Sequence, residues 1–171
     1  RRPSGTPDAW LAAGNNWSRS RSCMTAQFPD LYVMRHQVAF SETDMAGIIH
    51  YSSYFRYMEV TEHAFLRSQG LTVAGKNGIG WPRVDVGCQF RAPLRFEDEV
   101  DVHLSIEDLK DKSIRYAFVC RKVGQDSDVI VATGHTVTVC VAMDPETGQM
   151  KGTTIPRNFL EQLLGPDYDK E

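Results

Sequence analysis

Between residues 51 and 69 the chain carries one strongly helical pattern, and its apolar stripe is too wide and too aromatic to face water. Tyr51, Tyr54, Phe55, Met58, Phe65 and Leu66 recur at three- to four-residue spacing, with Thr61 and Glu62 between them. Arg56, Glu59, His63 and Arg67 form the opposite, charged face, the last three at successive i, i+4 steps. Gly70 is a fitting C-terminal stop. A lone helix cannot bury such a stripe, so the rest of the chain must supply a surface that grips it.

That surface reads as a sheet. From Tyr32 to Phe40 the pattern alternates, with Tyr32, Met34, His36, Val38 and Phe40 on one face. After the helix, glycines 75, 78 and 80 mark a loop, and their spacing fits no dinucleotide-binding fingerprint. A strand is expected over residues 82–91, with Val84, Val86, Cys88 and Phe90 facing one way, before Pro93 interrupts it. Val100, Val102, Leu104 and Ile106 then alternate with polar residues, and Ile114, Tyr116, Phe118 and Cys120 repeat the pattern. The last long strand is expected over 128–142, with a bulge or bend at Gly134. Pro145 to Gly148 make a turn, and a short helix from Arg157 to Leu164 ends at Gly165 and Pro166. The later connections are too short for parallel crossovers, so the sheet is antiparallel there. The simplest arrangement is an α+β fold in which a curved five-stranded antiparallel sheet wraps one long helix.

Composition sets the outer bounds. Nineteen Lys+Arg against 22 Asp+Glu give a formal charge of −3, which argues against a protein that binds nucleic acid through many phosphates. No apolar run approaches a membrane span. The four cysteines (Cys23, Cys88, Cys120, Cys140) have neither C-x-x-C spacing nor a histidine at zinc-finger distance, and three fall in strand-like runs. This predicts a reduced, cytoplasmic protein without a structural metal. Residues 1–23 are Arg- and Ser-rich and without period, so they are expected to be a leader or a disordered arm, with the single domain spanning 24–171. Without them the chain holds 15 Lys+Arg and 21 Asp+Glu, about −6.

The chemistry concentrates between Asp44 and Tyr54. Here alone an acid, a glycine and a helix start fall within a few residues. Gly47 lets the backbone turn tightly, and the unpaired N–H groups at a helix N-terminus hold an anion or an incipient oxyanion. A carboxylate beside such donors suits attack on an ester or thioester, although an Asp before a helix also serves as a simple cap.

The run from Phe40 to Glu59, F-S-E-T-D-M-A-G-I-I-H-Y-S-S-Y-F-R-Y-M-E, resembles the hot-dog-fold acyl-CoA thioesterases of the 4-hydroxybenzoyl-CoA thioesterase family. Asp44, Gly47, His50, Tyr51 and Tyr54 match that signature in order and spacing. Arg91 to Val100, Lys112-Ser113 and Ile155-Pro156 are similar to later family segments, so the resemblance covers roughly residues 33–165. It implies that Asp44 is the catalytic carboxylate, as nucleophile or as base on water, and that the Tyr51 backbone N–H receives the carbonyl oxygen. It implies that His50 lines the acyl pocket or moves a proton, that Gly47 is conformational, and that Tyr54 packs or borders the substrate. Glu59 is implied to be structural. Lys110, Lys112 and Ser113 stand where the family contacts coenzyme A, although Asp111 dilutes the charge there.

The implied substrate is an acyl-CoA, with coenzyme A part of it and no separate cofactor. The implied assembly is a homodimer, or a dimer of dimers, with sheets joined edge to edge and acyl pockets between protomers. Two other readings stay open. One is a hot-dog hydratase or dehydratase using His50 with Asp44, and the other is a non-catalytic acyl-CoA-binding module. No H-E-x-x-H or G-x-S-x-G occurs, which disfavours zinc and serine hydrolases.

Overall fold

The computed structural model describes residues 30–73, 78–124, 129–144 and 146–165. The expected leader 1–23, the boundary at residue 24, and Cys23, Gly75, Pro145 and Pro166 lie outside the described residues. Alternation builds β1 (Tyr32–Gln37), β3 (Arg83–Phe90), β4 (Glu99–Leu109), β5 (Ser113–Lys122) and β6 (Ile130–Val139) into one sheet of order β1-β4-β5-β6-β3. Every pairing in it is antiparallel. The helix α1 (Tyr51–Ser68) packs on one face.

The packed face is the expected one. Val100, Val102, Leu104 and Ile106 of β4 and Ile114, Tyr116, Phe118 and Cys120 of β5 are all buried, against Tyr54, Met58, Phe65 and Leu66 of α1. Each large apolar side chain so removed from water contributes about 1.5–3 kcal/mol. Burial pushes the Cys88 thiol up to about 11 and the Cys120 thiol up to about 12, so at neutral pH both are protonated packing groups.

Five details differ from the sequence expectations. Phe40 does not continue β1; it opens a 3-10 turn (Phe40–Glu42), is 75% exposed, and meets Phe96 edge-on at 5.7 Å. Within the helix, Tyr57 is buried in the stripe while Tyr51, one turn beyond the sheet, is 60% exposed. Gly134 marks no bulge. Register runs evenly from Gln89↔Thr133 to Val86↔Thr136, and the glycine is needed because a Cβ there would stand 2.5 Å from Met58 Sδ. The expected strand 128–142 is two strands: after β6 the chain changes partners at Cys140, whose N–H donates to Lys112 O. The continuation, β7 (Val141–Met143), joins β2 (Ile79–Gly80) and β8 (Met150–Gly152) in a second, three-stranded sheet.

The fifth difference concerns β3, an edge strand. Val86, Cys88 and Phe90 do share the helix side of the sheet, since they pair with Thr136, Gly134 and Ala132. Yet Val86 is 50% and Phe90 45% exposed, because α1 covers the sheet centre and stops short of this edge. A register shift between Arg83 and Asp85 leaves Val84 exposed and brings the Arg83 guanidinium to the helix side, onto Glu62. Finally α2 (Arg157–Leu164) tucks Leu160 and Leu163 into the core near the C-terminal end of α1.

Candidate functional site

The loop from Ala39 to His50 is closed by its own backbone. Thr43 bridges to Ile49, the Asp44 N–H donates to Ile48 O at 2.9 Å, and the Gly47 N–H donates to Asp44 O at 2.9 Å. The turn requires φ +72° at Gly47, a left-handed conformation that glycine alone adopts at little cost. Within it, Asp44 Oδ1 accepts the Ala46 N–H at 2.8 Å and lies 3.5 Å from the Ile48 N. The side chain is exposed, and its Oδ2 has no partner among the described residues. One carboxylate oxygen is therefore fixed by the turn while the other is unpartnered among the described residues.

Two residues after Ile49 the helix begins. The His50 N–H donates to Glu42 O at 2.7 Å, and the Ser53 N–H donates to His50 O at 3.0 Å. The Ser52 N–H donates to His50 Nδ1 at 3.4 Å, with Ser52 Oγ 2.7 Å from the same nitrogen. The His50 ring so caps the first turn of the helix. The Tyr51 N–H opens the helix and has no acceptor among the described residues, as the geometry of a first turn dictates. The dipole adds partial positive charge at that donor.

Further residues hold this corner together. Tyr54 is buried, with its ring 5.3 Å from that of Phe90, and so packs the helix onto the sheet edge. The Ile49 N–H donates to Leu94 O at 2.8 Å, and Arg95 Nη1 reaches Gly47 O at 3.5 Å. Glu42 Oε2 accepts both the Ala39 N–H at 2.9 Å and the Tyr57 hydroxyl at 2.6 Å. Glu42, Tyr57 and Arg95 were not among the residues picked out by sequence. Arg95 carried no local signal, whereas Tyr57 continued the Tyr51-Tyr54 spacing and could have been read.

The structure brings Asp44, Gly47, His50, Tyr51 and Tyr54 to one end of the sheet, beside Phe90 and the start of β4. Lys110, Lys112 and Ser113 lie at the other end, where β4 turns into β5. β4 has eleven residues, so about 33 Å of strand separates the two groups within one chain. Lys110 Nζ is 3.3 Å from Asp108, and the Lys112 carbonyl is used by Cys140. Glu59 is exposed and sits 3.6 Å from Arg83. At that far end also lies a cleft of about 340 Å³, in which Leu71, Ile79, Trp81 and Phe159 supply apolar walls and Asn158 and Gln162 supply amides. The rings of Trp81 and Phe159 stack at 4.4 Å. Among the described residues no three His, Cys, Asp or Glu converge as metal ligands, and no helix is long and apolar enough to cross a membrane.

Comparison with known proteins identifies the family. The thioesterase-like superfamily profile matches residues 38–163. A putative esterase of Aquifex aeolicus is 32% identical over 134 residues, covering 77% of this chain and 97% of that protein. The 4-hydroxybenzoyl-CoA thioesterase of a Pseudomonas species is 21% identical over 134 residues, covering 75% of this chain and 94% of its own. Among solved structures, a gentisyl-coenzyme A thioesterase superposes with TM-score 0.63 at 34% identity, over 73% of this chain and 96% of that one. With its fold, its span and the match over most of its length, the chain belongs to the thioesterase-like superfamily, with the hot-dog fold.

Proposed function

We propose that this protein hydrolyses the thioester of an acyl-CoA to the free acid and coenzyme A. The observation that carries the reading is the Asp44 carboxylate, held through Oδ1 by its own turn, close in the loop to a helix whose first N–H is unbonded. In this reading the Tyr51 N–H binds the thioester oxygen and takes up the charge that develops there. Asp44 either attacks the carbonyl carbon, giving an anhydride that water then opens, or takes a proton from the attacking water. The thiolate of coenzyme A leaves and is protonated. His50 Nδ1 is engaged by Ser52 rather than by Asp44. That bonding lends no support to the His–Asp pair of a hydratase. Hydrolysis consumes only water, so the reading calls for no cofactor.

The assembly in this reading is a homodimer in which two β3 edges pair antiparallel about a two-fold axis. The exposed Val86 and Phe90 at an unpaired edge support it. Antiparallel pairing sets the Arg83 end of one strand beside the Phe90 end of the other. The partner's end that carries Trp81, Lys112 and Ser113 would then face Asp44, which reconciles the far placement of the presumed coenzyme A contacts with a single site. The stacked aromatic cleft would supply the acyl pocket.

The test is thiol release from short, medium, long and aromatic acyl-CoAs, with Asp44→Asn beside the unaltered protein. Loss of about 10²–10⁴ in kcat for the variant is expected. Near-normal turnover by Asp44→Asn would remove Asp44 from the mechanism. Absence of release from every substrate would favour the hydratase or the binding module.

A further inference from the structure

Glu42 stands at a crossing of three segments. Its carboxylate accepts the Ala39 N–H at the exit of β1 and the Tyr57 hydroxyl from the second turn of α1. Its carbonyl accepts the His50 N–H at the helix cap, and its own N–H donates to Ala39 O at 3.0 Å. Asp44 lies two residues further on. Apart from the weak reach of Arg95 to Gly47 O and the Tyr57 bond, the hydrogen bonds that close this loop among the described residues are made by its own residues or by backbone. Among the described residues, the Tyr57–Glu42 bond is the one side-chain hydrogen bond between the loop and the body of α1.

Tyr57 is a rigid post for such a tie. Its ring is buried and stacks on His36 at 4.4 Å with 14° between planes, and His36 Nε2 is 3.1 Å from Thr61 Oγ1 one turn along. Burial, and after it the Glu42 carboxylate, hold the phenol protonated far above its ordinary range, so the hydroxyl is a donor at every pH the fold tolerates.

We infer that the Tyr57 hydroxyl and Glu42 form a brace that fixes the Asp44 loop against α1, and thereby sets the turnover rate of the proposed hydrolysis. Tyr57 and Glu42 are positioning residues: they act through the placement of Asp44 relative to the Tyr51 N–H. The inference rests on the reading of Asp44 as the reacting carboxylate. The reason such a tie matters is geometric, since a displacement of about 1 Å between reacting groups costs up to roughly a hundredfold in rate.

The experiment compares Tyr57→Phe, Glu42→Ala and Glu42→Gln with the unaltered protein, by steady-state kinetics on the best acyl-CoA and by amide hydrogen exchange of His50. Tyr57→Phe keeps the ring and its stack and deletes one hydroxyl. It should lower kcat about tenfold with KM within about twofold, and speed His50 exchange by a similar factor. Glu42→Ala should do at least as much. Glu42→Gln keeps an oxygen able to accept both bonds, and should restore kcat to within about threefold of normal.

Unchanged kcat in Tyr57→Phe overturns the brace, as does lowered kcat with unaltered exchange, which would mean a direct role for the hydroxyl. A Glu42→Gln as impaired as Glu42→Ala also overturns it, because the charge would then be what matters. If the unaltered protein releases no thiol from any substrate, the proposed function fails first. The exchange comparison still decides whether the tie holds the loop.

Discussion

One residue of α1 sets a cost the rest of the core has to answer. Glu62 is 1% exposed, and its Oε2 receives Arg83 Nη2 at 3.0 Å and the Thr136 hydroxyl at 3.4 Å. Burial raises its carboxyl pKa, against the pull of Arg83 in the other direction. A carboxyl with a raised folded pKa favours the native state at low pH, and that advantage is lost as pH climbs from about 4.5 through the folded value. Arg83→Met would leave the anion buried without its countercharge, a loss of about 3 kcal/mol at pH 8. The loss should shrink as pH falls and Glu62 takes up a proton. Urea unfolding at pH 5, 6 and 8 measures it, and a loss independent of pH would mean that Arg83 matters only for packing. Nothing in the sequence marked this pair, because the 21-residue separation of Arg83 from Glu62 is closed only when β3 takes its place at the sheet edge and its register shift turns Arg83 to the helix side.

At the scale of elements, what was legible depended on how local the cause was. α1, β4 and β5 announce themselves because their periods come from the one face each buries. The turn from Asp44 to Gly47 was legible for the same reason, since one acid and one glycine make it. Phe40 was misplaced because the end of β1 is decided by Glu42, which draws the chain into a turn through Ala39 and Tyr57. The strand 128–142 looked continuous because its apolar alternation survives the change of partners at Cys140. The distance from Asp44 to Lys112 was hidden for another reason: spacing along a chain does not tell which end of a sheet a turn occupies. Gly134 offers the element-scale test. Met58 of α1 packs directly over it, and an added Cβ would also stand 3.0 Å from Gly87 O. Gly134→Val should cost about 1–3 kcal/mol through overpacking, read as a lower midpoint in thermal or urea unfolding. An unchanged midpoint would show that Met58 has room to move aside.

For the molecule as a whole, the prediction concerns the β3 edge. A lysine at position 86 would place a charge among the exposed apolar groups of that edge, while the solitary chain has room for it. Val86→Lys should sediment as a monomer, keep its circular dichroism spectrum, and lose thiol release, since the proposed site needs both chains. Dimeric sedimentation with full activity would place the association elsewhere.

The two borders of the main sheet are unlike. Along β1, Arg35 binds Asp101 through two bonds of 2.8 and 2.9 Å and lies 3.6 Å from Glu99; β3 exposes Val86 and Phe90 beside Asp85, which pairs with Arg115 and His135. Growth of a sheet from copy to copy needs each border to accept the other. The proposed homodimer joins like to like, and such a joint uses up both β3 borders at once. In that dimer the β1 borders are what the main sheet leaves open, and the paired charge of Arg35 and Asp101 there opposes the addition of further strands.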